Sequence, residues 1–290
     1  MTTVSGPRIG VALGGGAARG LSHIPFIEAM DELGLKPSLI AGTSIGAFIG
    51  AGWAAGMPGY EIREHALDVL GSVRALSSRL WRTQVYDLRE MFQDGISMQF
   101  DAFRVLGSFA PYPFPRRFRE LNIPLRIIAT DFHNWEQAVF NSGRLDKALA
   151  ASIAIPSLFK PVINDGRLLV DGGVVNPLPL NHASDNMDIV IGIDVNGDPI
   201  NSDASACPST VDIGMGMAQI MMHRMTAQMI GAYPPDVYIK PDVRLFGAYE
   251  FWRVREILEA GDALKDRFKY QLSDKVDQFI AGQERSFEAV

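Results

Sequence analysis

Two glycine-rich turns sit close together near the N-terminus, Gly14-Gly15-Gly16-Ala17-Ala18-Arg19-Gly20 and Gly42-Thr43-Ser44-Ile45-Gly46. Each follows a short apolar run and precedes a helix-compatible one. The first can therefore present backbone N–H groups, and the second a serine hydroxyl. Serine is a poor nucleophile until its proton is removed and the developing oxyanion is stabilised. Gly42 and Gly46 leave room for a sharp strand-to-helix bend with Ser44 at its apex, where the helix N-terminus favours negative charge. The two turns read together as an oxyanion hole and a nucleophile. Nucleotide binding is the weaker alternative for the first turn. It has no Gly-Lys-Ser/Thr, and the GxGxxG pattern fails at Arg19 when started from Gly14 and at Ala17 when started from Gly15.

A nucleophilic serine needs a base, and the residue types leave several. Asp131, Asp171 and Asp194 each close an apolar run, and composition does not rank them. Asp171 is followed by Gly172 and Gly173, which admit close approach of another backbone or a substrate. The histidines are His23, His65, His133, His182 and His223. Only His182 and His223 follow Asp171 in the order of an α/β-hydrolase triad, and His23 lies nearest the first glycine turn. Structural roles are expected for His23 and for His223, which sits mid-helix.

These residues need strands that end at them. Arg8–Leu13, Ser38–Ala41, Leu125–Thr130, Ala138–Asn141, Leu168–Val170, Ile189–Val195 and Val237–Lys240 read as strands, several of them almost wholly apolar as central parallel strands are. Leu21–Leu33, Ile45–Ala55 and a segment opened by Pro58 read as helices. Asp87-Leu88-Arg89-Glu90 resembles a capping box. A long helix is expected over Val211–Ile230, and one charged helix from near Glu250 to Ile280. The alternation predicts an α/β layered fold with a mainly parallel sheet, helices on both faces, and chemistry at the carboxyl ends of the strands.

The chain has 290 residues, 47% hydrophobic and 21% charged, with a net charge of -6 at pH 7. That length fits one domain with appendages. The charge offers no reason to expect nucleic-acid binding. Cys207 is the only cysteine, which excludes an intrachain disulfide and fits a reducing compartment. Ile9–Leu13 is too short for a signal-peptide core. Leu39–Gly59 carries no charged residue over a span-like length, but its glycine and alanine content and the embedded serine turn fit a strand, a turn and a packed helix.

With these motifs in order, the chain resembles bacterial patatin-like phospholipases over roughly Arg8–Val195. The resemblance rests on the Gly14–Gly20 loop, Gly42–Gly46, the Ala150-Ala151-Ser152-Ile153-Ala154-Ile155-Pro156 segment and Asp171-Gly172-Gly173. Residues 235–261 also resemble one bacterial subgroup. The resemblance implies a three-layer patatin-like fold in a single domain over 1–290, with a catalytic core at 8–195 and a helical extension at 205–290. It implies a lipid acyl-ester hydrolase with a Ser44–Asp171 dyad, no catalytic histidine, the Gly14–Gly20 loop as oxyanion hole, and neither cofactor nor metal. The alternative is a regulatory or scaffold protein that keeps the fold with little turnover. Ala17 stands where the family commonly has glycine, and alanine resists positive φ. The implied partner is a phospholipid or other acyl ester. The implied location is cytoplasmic, with any membrane contact peripheral and at the inner face.

Two further segments could serve substrate access. Met215, Met222, Met225 and Met229, with Met217 and Met221 nearby, could adapt to acyl chains, although such a stripe more often serves a core or a dimer contact. The aromatic segment Phe109–Phe118, with Arg116, Arg117 and Arg119, could touch lipid headgroups as a lid, against the plainer reading of a surface loop.

Overall fold

The computed structural model describes residues 6–72, 99–111, 113–198 and 210–288. One eight-stranded mixed sheet organises them. Its strands are β1 (Ile9–Leu13), β2 (Leu39–Thr43), β3 (Leu125–Asp131), β4 (Glu136–Phe140), β5 (Val162–Asn164), β6 (Arg167–Asp171), β7 (Ile189–Ile193) and β8 (Val237–Ile239). Strands β3, β2, β1, β7 and β8 run parallel in that spatial order. β4 and β6 pair antiparallel with β3, and β5 with β6. Every residue of β1, β2 and β7 is buried, as their apolar composition requires of strands covered on both faces.

Helices α1 (Ile24–Glu32), α2 (Ile45–Ala54), α3 (Gly59–Leu70), α4 (Ala102–Phe109) and α5 (Leu145–Ser152) share the larger core with Ile9, Val11, Leu13, Ile127 and Leu169. The opposite face is thinner. There Ala12, Ala41 and Val190 meet the short α6 (Leu180–Ala183) and Met229 and Ile230 of α7 (Thr210–Ala232). Neighbouring residues of β1 enter different cores because successive side chains of a strand point to opposite faces.

The antiparallel strands create the site. β4 occupies one edge of β3 over Ile127–Asp131, so β2 and β6 must share the other edge. β2 runs along it until Thr43 pairs with Ile128, and β6 runs the opposite way until Asp171 pairs with Ala129. The two strand ends meet head on, and the residue after Thr43 is Ser44.

In the C-terminal part the strand expected at Val237–Lys240 is β8, which extends the central sheet beside β7. The single charged helix expected near 250–280 is instead a 3-10 turn (Phe251–Arg253) followed by α8 (Val254–Asp262) and α9 (Lys265–Glu288). The break lets both helices pack on α1. Gly261 abuts Pro25, where a Cβ would stand 2.8 Å from its ring, and Phe268 meets Phe26 edge-on at 5.3 Å. Ion pairs at 2.6–3.1 Å among Glu28 of α1, Arg63 of α3, Asp262 of α8 and Lys265 of α9 tie these helices together. Leu39–Gly59 forms β2, the serine turn and α2, and no described helix is long and apolar enough to cross a membrane. The expected capping box at 87–90 lies outside the described residues.

Candidate active site

Ser44 caps α2 with φ 54° and ψ -123°, a left-handed conformation that costs a side-chain-bearing residue of order 1–3 kcal/mol. The surroundings hold it there. A Cβ on Gly46 would collide with the Leu13 carbonyl, and one on Gly42 would stand 2.6 Å from the Ala47 Cα, so both flanking positions need glycine for close backbone approach. The Ser44 amide donates to Ser152 Oγ at 2.8 Å, and that hydroxyl donates to the Ile128 carbonyl at 2.6 Å. Ser152 lies in the Ala150–Pro156 segment whose motif the sequence showed without a role for this residue. It straps the serine turn to β3.

The Ser44 hydroxyl donates to Asp171 Oδ2 at 2.6 Å. The other carboxylate oxygen accepts from the Gly173 amide at 2.7 Å. The backbone of Asp171 is pinned by its N–H to the Ala154 carbonyl at 2.9 Å and by the Thr130 hydroxyl on its carbonyl at 2.7 Å. Gly172 has no room for a Cβ against the Ile128 carbonyl, which explains one glycine of the pair. Burial pushes the Asp171 carboxyl up to about 6, and the Ser44 and Gly173 hydrogen bonds only partly oppose it. The group is therefore ionised at neutral pH, more basic than an exposed aspartate, and in contact with a proton it can accept.

The other two acids are occupied elsewhere. Asp131 accepts from the backbone and side chain of Asn134 in its own turn. Asp194 accepts from the Tyr238 hydroxyl at 2.8 Å and the Asn196 amide at 3.0 Å. None of the histidines bonds to Ser44 or Asp171. His23 Nε2 donates to the Gly14 carbonyl at 2.9 Å, and burial holds its pKa down to about 4, so it is a neutral brace of the loop. His65 bonds to the Phe109 carbonyl and His182 to Gln137.

The glycine loop passes directly beside the serine, since a Cβ on Gly15 would stand 3.5 Å from that of Ser44. Its seven residues are not equivalent. The amides of Gly14, Gly15, Ala18 and Arg19 already donate to the carbonyls of Ile193, Pro177, Ala248 and Gly16. Gly20 belongs to the 3-10 turn Ala17–His23 and makes room for Ile45, whose side chain fills the place of a Cβ. That leaves the N–H groups of Gly16 and Ala17 without an acceptor among the described residues. Ala17 adopts φ 50°, the left-handed conformation that glycine takes easily, at a cost of roughly 1–2 kcal/mol. Arg19 is buried, and its guanidinium donates to the carbonyls of Phe246 and Asn196 at 2.8 and 3.0 Å, so it anchors the loop.

A cavity of about 370 Å³ opens on Ser44 and Ala17 and runs between α2, α3 and α4. Phe48, Ile62, Leu106, Phe114 and Phe159 are among its apolar walls. Phe109, Pro111 and Phe114 turn into it, so the segment read as a surface loop, with a lipid-facing lid as the alternative, contributes cavity wall. Phe118 is buried and the Arg116 carbonyl accepts from the Leu145 amide, which anchors the far end of the segment; Tyr112 lies outside the described residues. Among the described residues, none of the α7 methionine side chains lines this cavity. Met222 abuts Gly173, Met229 packs on the opposite face of the sheet, Met217 and Met221 are exposed, and the Met215 side chain lies outside the description.

The sequence profile of patatin-like phospholipases matches residues 11–184. A lysophospholipase of Kluyveromyces lactis is 27% identical over 300 residues, covering 94% of this chain and 20% of that protein. An NTE family protein of Mycobacterium tuberculosis is 36% identical over 197 residues, covering 67% of this chain and 50% of its own length. The chain thus spans about a fifth of the fungal relative and half of the mycobacterial one. Among solved structures, VipD from Legionella pneumophila aligns with a TM-score of 0.46 at 14% identity, over 92% of this chain and 68% of that one.

Proposed function

Because the chain belongs to the patatin-like phospholipase family, we propose that it hydrolyses lipid acyl esters with Ser44 as nucleophile and Asp171 as the proton acceptor. The observation that carries this reading is the 2.6 Å hydrogen bond between a strained, buried serine and a buried aspartate at the end of an apolar cavity. The acyl chain enters the cavity and brings the ester carbonyl over Ser44. As Oγ bonds to the carbonyl carbon, its proton passes to Asp171 Oδ2 and the carbonyl π electrons move to oxygen. The free Gly16 and Ala17 amides stabilise that oxyanion, the use for which uncommitted backbone donors beside a nucleophile are suited. When the carbonyl re-forms, the ester C–O bond breaks and Asp171 returns the proton to the leaving alcohol. A water then attacks the acyl-serine, giving one proton to Asp171, and collapse returns that proton to Ser44 as the fatty acid leaves.

The chemistry assigns a cost to a carboxylate base, since an ordinary aspartate is too acidic to take a serine proton readily. Burial of Asp171 reduces that mismatch. The oxyanion hole must supply the rest, which makes the two free amides as important as the dyad. The apolar cavity and the similarity to a lysophospholipase support phospholipid or lysophospholipid as the substrate class.

The deciding experiment is reaction with a fluorophosphonate probe followed by peptide mapping. Labelling at Ser44, abolished by Ser44→Ala and suppressed by Asp171→Asn, is the expected result. A folded protein that does not label, or that labels equally without the Asp171 carboxylate, would sink the dyad.

A further inference from the structure

The geometry points to residues 241–253, between β8 and α8, as a lipid-surface docking element that places the cavity mouth against a bilayer; this rests on the reading of the site as a lipid acyl hydrolase. Three large side chains of this segment face outward: Leu245 is 68% exposed, Tyr249 40% and Trp252 44%. Tyr249 and Trp252 also line the cavity, so they stand where it meets solvent. Tyrosine and tryptophan are suited to that position, because each carries an apolar body and one polar group that prefers the wet side of an interface.

The segment is rigidly held from behind and tied to the reacting end of the site. Phe246 is buried beneath the Arg253 guanidinium, 4.5 Å from its ring centre. The Ala248 carbonyl accepts from the Ala18 amide at 2.9 Å, and the Phe246 carbonyl from Arg19 Nε at 2.8 Å. A surface that receives the three exposed side chains thus presses on the same backbone that braces the loop beside Ser44.

Charge identifies the kind of surface. The segment holds two acids, Asp242 and Glu250, and two bases, Arg244 and Arg253, and they pair as Asp242–Arg244 at 3.0 Å and Glu250–Arg253 at 3.1 Å. Local charge sums to zero and the whole chain carries -6. Nothing here draws the protein to anionic headgroups. Apolar burial is the available attraction, which fits a zwitterionic phospholipid surface and predicts weak dependence on salt.

The test measures co-sedimentation of the Ser44→Ala protein with phosphatidylcholine vesicles, so that no hydrolysis alters the surface. Adding Leu245→Glu should lower the partition coefficient about tenfold or more, the scale of losing one buried leucine. Raising salt from about 0.05 to about 0.5 M should change it less than about twofold. In the otherwise native chain, Leu245→Glu should leave hydrolysis of a soluble short-chain ester unchanged and lower that of vesicle lipid, since Leu245 does not line the cavity. Equal partitioning of the two proteins, no vesicle binding by either, or binding that needs anionic lipid and collapses with salt would overturn the inference. So would sedimentation showing a dimer that Leu245→Glu converts to monomer, because the surface would then belong to a second copy. The two proposals fail separately. Leu245-dependent vesicle binding without fluorophosphonate labelling would remove the hydrolase and leave a lipid-binding protein, whereas labelling without such binding would remove only the docking element.

Discussion

Asp171 and Asp194 both sit at or just beyond the end of a buried strand, and both are almost wholly removed from solvent. They differ in what surrounds the carboxylate. Asp194 receives the Tyr238 hydroxyl and the Asn196 amide, and Lys240 Nζ lies 3.6 Å away. Burial and the Asp194 charge push the Tyr238 hydroxyl pKa upward, so that group remains a donor. Asp171 has one fixed backbone donor, Gly173, and one hydroxyl whose proton has somewhere to go. A buried carboxylate surrounded by permanent donors and a cation is a structural clasp. One whose main partner is a hydroxyl proton is suited to act as a base, the role proposed for Asp171.

The largest contrast is therefore in chemistry. Asp171→Asn keeps the shape and removes the proton acceptor, so hydrolysis should fall by roughly 10³–10⁴-fold, while Asp194→Ala should leave fluorophosphonate labelling of Ser44 intact at temperatures where the protein is folded. A steady-state assay on a soluble ester with both variants checks this. Comparable losses in both would erase the distinction.

Stability should reverse the ranking. Asp194→Ala orphans the Tyr238 hydroxyl and the Asn196 amide, which should cost about 2–4 kcal/mol in denaturant unfolding. The legibility of the two acids explains why this contrast must be measured. The glycines around Ser44 and after Asp171 were readable as motifs, but only the need at Gly42, which faces Ala47 of its own turn, is local; Gly46 meets the Leu13 carbonyl and Gly172 the Ile128 carbonyl, contacts that the assembled sheet creates. The apolar β1 and β7, and β2 up to Thr43, were readable because apolar residues on both faces of a strand announce burial on both faces. The meeting of Ser44 with Asp171 depends instead on β2 and β6 sharing one edge of β3, a long-range pairing that no residue of β6 announces. Ser152 carried no signal beyond its motif, since its role comes from lying between two backbones. The methionines of α7 had a suitable spacing, but spacing does not say which face of the sheet the helix covers.

A smaller effect separates the protonated from the ionised Asp171. Its folded-state pKa of about 6 lies above the ordinary aspartate value of 3.8, so the folded chain holds this proton more tightly than the unfolded chain. That contribution to stability is full below about pH 4 and is lost as pH rises through about 6. Asp171→Asn, which imitates the neutral acid, should accordingly be more stable than the native protein above pH 6, by up to about 3 kcal/mol, with the gap closing toward pH 4. If Asp171 is the base as proposed, the native kcat/KM should move the opposite way, rising with pH to a plateau above about 6 as its carboxyl ionises. Chemical unfolding and initial rates across the same pH range would show both. A flat stability difference would mean that the carboxylate is not desolvated as its surroundings require.

The smallest effect tests the loop beside that base. Ala17 and Ser44 carry the same kind of strain, with φ of 50° and 54°, on either side of the space where an ester carbonyl would sit. At Ser44 the strain cannot be removed without removing the proposed nucleophile, but at Ala17 it can. Ala17→Gly relieves roughly 1–2 kcal/mol of left-handed strain and gives back about 0.4–1 kcal/mol through the greater freedom of the unfolded chain. The net change should be a gain of less than about 1.5 kcal/mol. The amide itself survives the substitution, so if the free Gly16 and Ala17 N–H groups stabilise the oxyanion, kcat should stay within about threefold of native. A large fall in kcat with stability preserved would show that the Ala17 methyl, which lines the cavity, positions the acyl chain. The loop's importance would then lie in shaping substrate more than in donating hydrogen bonds.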